Sequence, residues 1–204
     1  MLIDAGCELE NYASDISRTF PVSGRFTEPQ RRIYEIVLEA QEAGIDKVRK
    51  AETIHSVHSA VVHLLAERLV ELGLLQGDPE RHARICLQAA ENPDEEAWQE
   101  RLEEGEIGLQ SYYMHNTSHW LGLDVHDVGR YREGGAWRRL EPGMILTVEP
   151  GLYISSGAQY APEAYRGIGV RIEDEVLVTE GKPEVLTESC GKYAEEVEVA
   201  CQGG

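Results

Sequence analysis

An α+β domain, with helices packed on one face of a mostly antiparallel sheet, is the fold class that this 204-residue sequence predicts. Three observations carry it. Short apolar runs open the chain, two long runs with helical spacing follow, and past residue 110 the texture returns to short β-like runs punctuated by Gly and Pro. A chain of this length can bury a sizeable core as a single domain.

Residues 1–9 and 12–22 read as two short strands joined by a turn at Glu10-Asn11. Thr27-Glu28-Pro29-Gln30 has the form of a capping box with Pro in the first turn, and Ile33, Ile36, Val37, Ala40 and Val48 follow at helical spacing, which predicts a helix over 28–50. Ser56 is placed to cap a second helix. Its apolar face is Val57, Ala60, Val61, Leu64, Leu65, Leu69 and Leu72, and Gly73 stops it. Residues 77–106 are acidic and contain Asn92-Pro93-Asp94-Glu95-Glu96, so they read as a solvated surface insertion, partly helical. The remaining strand candidates are 121–128, 143–154, 168–179 and 184–188.

The charge balance narrows the function classes. Asp and Glu number 37 against 19 Lys and Arg, a net charge of −18. Nucleic acid and anionic membrane surfaces both call for clustered basic residues, so neither is an expected partner. No stretch approaches the length of a membrane span, and the start lacks a basic and then apolar leader. Cys7, Cys86, Cys190 and Cys201 are scattered without a CxxC pair, which predicts reduced thiols and a cytoplasmic location rather than a disulfide framework or zinc knuckle. Oligomeric state stays open, a homo-oligomer included.

Polar residues within the apolar runs are the most informative positions. Asp4 interrupts Leu2-Ile3-Asp4-Ala5, and Asp15 follows across a turn, so a hairpin could set the two carboxylates face to face. Glu149 ends the run Met144–Val148. Arg171 and Glu173 share one face of Val170–Asp174, and Asp124 and His126 share one face of the run that follows His119. Taken singly, each has an ordinary role available: Asp4 or Asp15 in a turn, Glu149 at a strand end, Arg171 with Glu173 as a surface ion pair, His119 as a core histidine. Taken together, four carboxylates in one interior need a compensating charge. Two divalent ions supply it. Oxygen-rich donors with one imidazole suit Mn2+, Co2+, Fe2+ or Zn2+ in a two-metal hydrolytic site, and do not suit structural zinc.

Five segments, in order, resemble the pita-bread metallopeptidases. They are Leu2–Gly6 with Tyr12–Pro21, Ser118–Asp127, Leu140–Met144 running on through Thr147–Tyr153, and Tyr165–Asp174. The wording is most similar to the Xaa-Pro aminopeptidase (aminopeptidase P) branch, and the match runs from residue 1 to about 190 outside the acidic insertion. The resemblance implies a curved pita-bread sheet and two divalent metal ions, Mn2+ in this branch. Asp4 would hold one metal, Asp15 and Glu173 would bridge both, and His119 and Glu149 would hold the second. A bridging water or hydroxide would attack the carbonyl of an Xaa-Pro bond in a peptide substrate, with Glu149 as general base. His126 would contact substrate or the tetrahedral intermediate, His115 would share that pocket, and Arg171 would orient a ligand carboxylate. Prolidase is the neighbouring alternative, and a partner-binding module without catalysis is another.

Two departures accompany the match. The family usually has Gly and then an apolar residue after the position of His115, where this chain has Asn116 and Thr117. The chain also opens inside a strand, whereas the family's catalytic domain begins further upstream and full aminopeptidases P carry a separate N-terminal domain. Residues 1–204 are therefore expected to be a partial catalytic domain, truncated at its N-terminus, whose activity alone is an open question.

Overall fold

The computed structural model describes residues 1–91 and 107–203. Every strand pair among them is antiparallel. The chain opens with β1 (Leu2–Ala5), β2 (Glu8–Leu9), β3 (Tyr12–Ala13) and β4 (Ile16–Thr19). Glu10 and Asn11 form the predicted turn, both at positive φ (53° and 68°), the conformation a two-residue hairpin requires. The hairpin pairs β2 with β3 near the turn and β1 with β4 further out, in a register that sets Asp4 opposite Ser17.

Helix α1 spans Glu28–Lys47, and its Thr27–Gln30 capping box forms as the sequence predicts. Helix α2 (Ile54–Glu71) starts earlier than expected. Thr53, not Ser56, is the N-cap: its hydroxyl accepts from the Ser56 amide, and the Ser56 hydroxyl closes the box from the N3 position. Residues 79–91 are not a solvated insertion. They form α3 (Pro79–Glu91), an amphipathic helix that buries His82, Ala83 and Cys86 and turns Glu80, Arg81, Arg84 and Glu91 outward. The rest of that expected insertion, 92–106, lies outside the described residues. A last helix, α4 (Ala194–Cys201), packs against α1.

Between the helices come the small hairpin β5 (Arg132–Glu133) and β6 (Ala136–Trp137), then β7 (Ile145–Val148), β8 (Gly151–Tyr153), β9 (Gly169–Arg171), β10 (Asp174–Leu177) and β11 (Glu184–Val185). The segment 121–128 is not a strand. Leu123 and Val125 are exposed and have no facing apolar surface, and strand-like pairing falls instead on 117–121. There Trp120 bridges Leu146, the Thr147 amide donates to the His119 carbonyl, and the Glu149 amide donates to the Thr117 carbonyl.

The two long predicted strands, 143–154 and 168–179, each divide. β7 pairs with β10 and β8 pairs with β9, with Val148 opposite Asp174 and Gly151 opposite Arg171. One register therefore runs through both pairs, interrupted at Glu149-Pro150 and Ile172-Glu173. Pro150 has no amide proton to give the ladder. The Glu149 amide is diverted to Thr117, and the Glu173 amide to the Ser17 carbonyl at 3.1 Å.

Alternation assigns the two faces of this sheet. Leu146, Val148 and Val176 enter a core with Ile45, Val48, Ile54 and Val57 of the helical layer. Thr147, Glu149, Glu173 and Glu175 fall on the opposite side. The helices come close at Gly44, where a Cβ would lie 2.9 Å from Val148 Cγ1 and 3.0 Å from Val61 Cγ2.

Candidate metal centre

The open face of the sheet gathers the residues singled out in the sequence. Asp4 comes from β1, Asp15 from the step into β4, His119 from the segment beside β7, and Glu149 and Glu173 from the paired breaks. Donor atoms of His119, Glu149 and Glu173 lie within 4.8 Å of one another, as do those of Asp4, Asp15 and Glu173, and those of Asp15, His119 and His126. His119 Nε2 is the hub, 3.4 Å from Asp15 Oδ2, 3.4 Å from Glu149 Oε1 and 3.9 Å from Glu173 Oε1.

Its orientation is set by the backbone. His119 Nδ1 lies 3.0 Å from the Trp120 carbonyl, so Nδ1 carries a proton, and Nε2 faces the carboxylates. Loss of the Nε2 proton leaves the tautomer a metal-binding imidazole needs. The His119 amide donates to Thr147 Oγ1, which lies 3.5 Å from Glu149 Oε1.

The electrostatics of the bare protein favour a cation here. Burial pushes Glu149 up to about 7, with Asp15 and Asp4 adding to the rise against the pull of His119 and Arg171. Burial and the charges of Glu149 and Asp15 push Glu173 up to about 8. Burial also acts to raise Asp15, but hydrogen bonds with His119 and Asp4 outweigh it and hold the carboxyl below its usual value. His119 is raised despite burial, through Asp15, the Trp120 carbonyl and both glutamates. Glu173 Oε1 is buried and has no hydrogen-bond partner among the described residues. An orphaned carboxylate oxygen amid three further carboxylates and one imidazole fits a divalent cation, by charge and by donor type.

The surrounding residues divide into those the sequence indicated and those it did not. Arg171 is in place, but its direct carboxylate partner is Asp4, and it reaches Glu173 only through Ser17: Nε donates to Ser17 Oγ (2.9 Å), which donates to Glu173 Oε2 (2.8 Å). His115 is half-buried, with Nδ1 at 2.9 Å from the Asn116 carbonyl and 4.0 Å from Glu149 Oε2. Its Nε2 accepts from the Tyr153 hydroxyl at 2.8 Å. His126 is exposed at the rim, its ring 4.3 Å from that of His119. Ser17, Tyr153, Thr147 and Glu175 were not singled out. Glu175 Oε1 accepts from the Asp15 amide at 2.6 Å. Ser17 was findable, since it shares a strand face with Asp15.

Comparison with known proteins agrees with this architecture. The description of metallopeptidase family M24 matches residues 1–180. A Xaa-Pro aminopeptidase of Escherichia coli K12 is 48% identical over 198 residues, covering 97% of this chain and 40% of the relative. Aminopeptidase PepP of Pseudomonas aeruginosa superposes with a TM-score of 0.85 at 45% identity, covering 100% of this chain and 42% of that one. A zinc-substituted aminopeptidase P of Escherichia coli in complex with product superposes with a TM-score of 0.80 at 47% identity, over the same shares. The chain thus spans about two fifths of the length of the relatives it matches.

Proposed function

The chain belongs to metallopeptidase family M24, and from that premise we propose that it carries the metal-binding centre of a Xaa-Pro aminopeptidase, a hydrolase that releases the N-terminal residue of peptides with proline in second position. The observation that carries this reading is the convergence of five donors in two groups that share Glu173, His119 with Glu149 and Asp4 with Asp15, with one carboxylate oxygen left orphaned. The relatives named above are Xaa-Pro aminopeptidases and aminopeptidases P, and in our reading this chain shares their substrate class.

Asp4 would hold one divalent ion, His119 and Glu149 a second, and Asp15 and Glu173 would touch both. Two such ions, Mn2+ in our reading, would supply positive charge to polarise the scissile carbonyl and acidify the attacking water. The protein's own groups do the rest. Glu149 would serve as the general base that takes a proton from the attacking water. His126, at the rim, would contact the substrate or the tetrahedral intermediate, and His115, its Nε2 held by Tyr153, points its Nδ1–H side toward Glu149. Arg171 fixes Asp4 directly and steadies Glu173 through Ser17. The four thiols are free, no helix among the described residues is long and apolar enough to cross a membrane, and we place the protein in the cytoplasm.

The test is peptide hydrolysis by the Mn2+-loaded protein. Release of the first residue from a Xaa-Pro-Yaa tripeptide, abolished by EDTA, is the expected result. Hydrolysis of the Xaa-Pro dipeptide alone would replace the aminopeptidase with a dipeptidase. A protein that binds Mn2+ and cleaves neither would be a catalytically inert fragment or a partner-binding module.

A further inference from the structure

Beneath the candidate centre lies a buried polar chain that the reaction does not use. Thr117 is fully buried, and its hydroxyl lies 2.8 Å from His58 Nδ1 on α2 and 2.7 Å from the Tyr113 hydroxyl. Thr117 is one of the two positions at which the sequence departs from the family wording after His115, where an apolar residue is usual. His58 was not among the candidate residues, but it is buried as well. The two polar residues answer each other across the core.

A threonine hydroxyl has one proton to give and lone pairs to accept with. If Tyr113 donates to Thr117 and Thr117 donates to His58 Nδ1, His58 Nε2 is the one side-chain polar group of these three residues left without a partner. The reverse direction also strands the Tyr113 proton. The first direction satisfies more of the buried groups and is the assignment made here. It requires a neutral His58, and burial drives its pKa down to about 4.

The position of Thr117 gives this chain a consequence at the metal centre. It sits midway between His115 and His119 in a segment without regular structure. Its carbonyl accepts the diverted amide of Glu149 at 2.8 Å. The Tyr113 ring packs edge-on against His115, with ring centres 4.8 Å apart. One side chain therefore ties the helical layer to His115, His119 and Glu149 together.

We propose that Thr117 is a positioning residue, held by His58 and Tyr113, that fixes the 115–119 segment so that His119 and Glu149 present their donors to the metal. The proposal rests on the reading of the centre as a metal site, and its test separates the two. Thr117→Val keeps the shape and strands His58 Nδ1 and the Tyr113 proton in the core, whereas Thr117→Ser keeps the hydroxyl. The control is Leu69→Val, in the core of α2 about 16 Å along the axis from His58.

Mn2+ affinity is measured by titration for the parent and the three variants, with melting temperatures recorded alongside. Thr117→Val is expected to weaken Mn2+ binding about 10-fold or more, the usual effect of removing a partner behind a metal ligand. Thr117→Ser should stay within about 2-fold of the parent, and Leu69→Val should lower the melting temperature without changing Mn2+ affinity. Parent-like affinity in Thr117→Val, or an equal loss in Leu69→Val, overturns the proposal. If Thr117→Val does not fold, Tyr113→Phe and His58→Gln, which each remove one end of the chain, carry the same comparison. If the parent itself binds no Mn2+, the metal reading fails and the positioning claim is decided on the metal-free protein. The imidazole NMR signals of His115 and His119 should then move in Thr117→Val and stay in place in Leu69→Val, and unmoved signals in Thr117→Val overturn it.

Discussion

Glu149 and Glu173 stand opposite each other across a break shared by two strand pairs. Val148 pairs with Asp174 on one side, Gly151 pairs with Arg171 on the other, and a single antiparallel register joins them. Burial pushes both carboxyls far above their usual range, and at Glu173 the charge of Glu149 adds to the rise. The break makes the arrangement feasible. Pro150 withdraws an amide from the ladder, and the two glutamate amides bond instead to Thr117 and Ser17, the segments that carry His119 and Asp15 into the site.

In metal-free protein this pair makes stability fall as pH rises. The folded carboxyls hold their protons to about 7 and about 8, against 4.5 for an ordinary glutamate. The folded state then binds more protons than the unfolded one, so the contribution is full below 4.5 and lost as pH rises through about 8. His58, held down to about 4, has the opposite slope, confined between about 4 and 6.5. The fall is therefore clearest above pH 6.5. Melting in EDTA from pH 6.5 to 8 should show a declining Tm, and saturating Mn2+ should remove that decline. A flat profile in EDTA would mean that the two carboxyls are ionised in the folded protein without cost.

Glu149→Gln separates ligand from base. Given a hydrolytically active parent, the amide keeps an oxygen for coordination and nearly the same volume, but it cannot take the proton of the attacking water. With Mn2+ saturating, turnover of a Xaa-Pro-Yaa peptide should fall about 10²–10⁴-fold. Parent-like turnover with metal bound would leave Glu149 a ligand only.

Gly44 offers a purely steric handle on the centre. An alanine Cβ there meets Val148 Cγ1 at 2.9 Å and Val61 Cγ2 at 3.0 Å, in the core directly behind Glu149. Gly44→Ala should destabilise the fold by about 1–3 kcal/mol, the usual cost of overpacking, and weaken Mn2+ binding through the shifted strand. Denaturant unfolding and Mn2+ titration read the two effects, and a variant as stable as the parent would mean that the helix–sheet contact yields freely.

The helices and the five metal-type positions were legible because each has a local signature: the Thr27–Gln30 box, the apolar period of α2, and charged residues set in apolar runs. The strand breaks were not legible. Glu149-Pro150 marks the end of one apolar run, but only the pairing partner shows that a second strand in the same register follows it and that the break lies level with Ile172-Glu173. Helix α3 was masked by the acidic sequence that follows it, since Ala83 and Cys86 give only a narrow apolar stripe. The segment 121–128 alternates like a strand, yet Leu123 and Val125 have no sheet to face. His58 was invisible for a different reason: its partner is 59 residues away, and nothing near it in sequence marks it as more than a helical residue.

The central claim is that Asp4, Asp15, His119, Glu149 and Glu173 together hold divalent metal, and crystals grown with Mn2+ test it most directly. Anomalous diffraction at the manganese edge should place two peaks among these five side chains, about 3.5–4 Å apart, with His119 Nε2 turned to one of them. Anomalous maps with no peak in this cluster at saturating Mn2+, or with peaks only elsewhere on the acidic surface, would contradict the account.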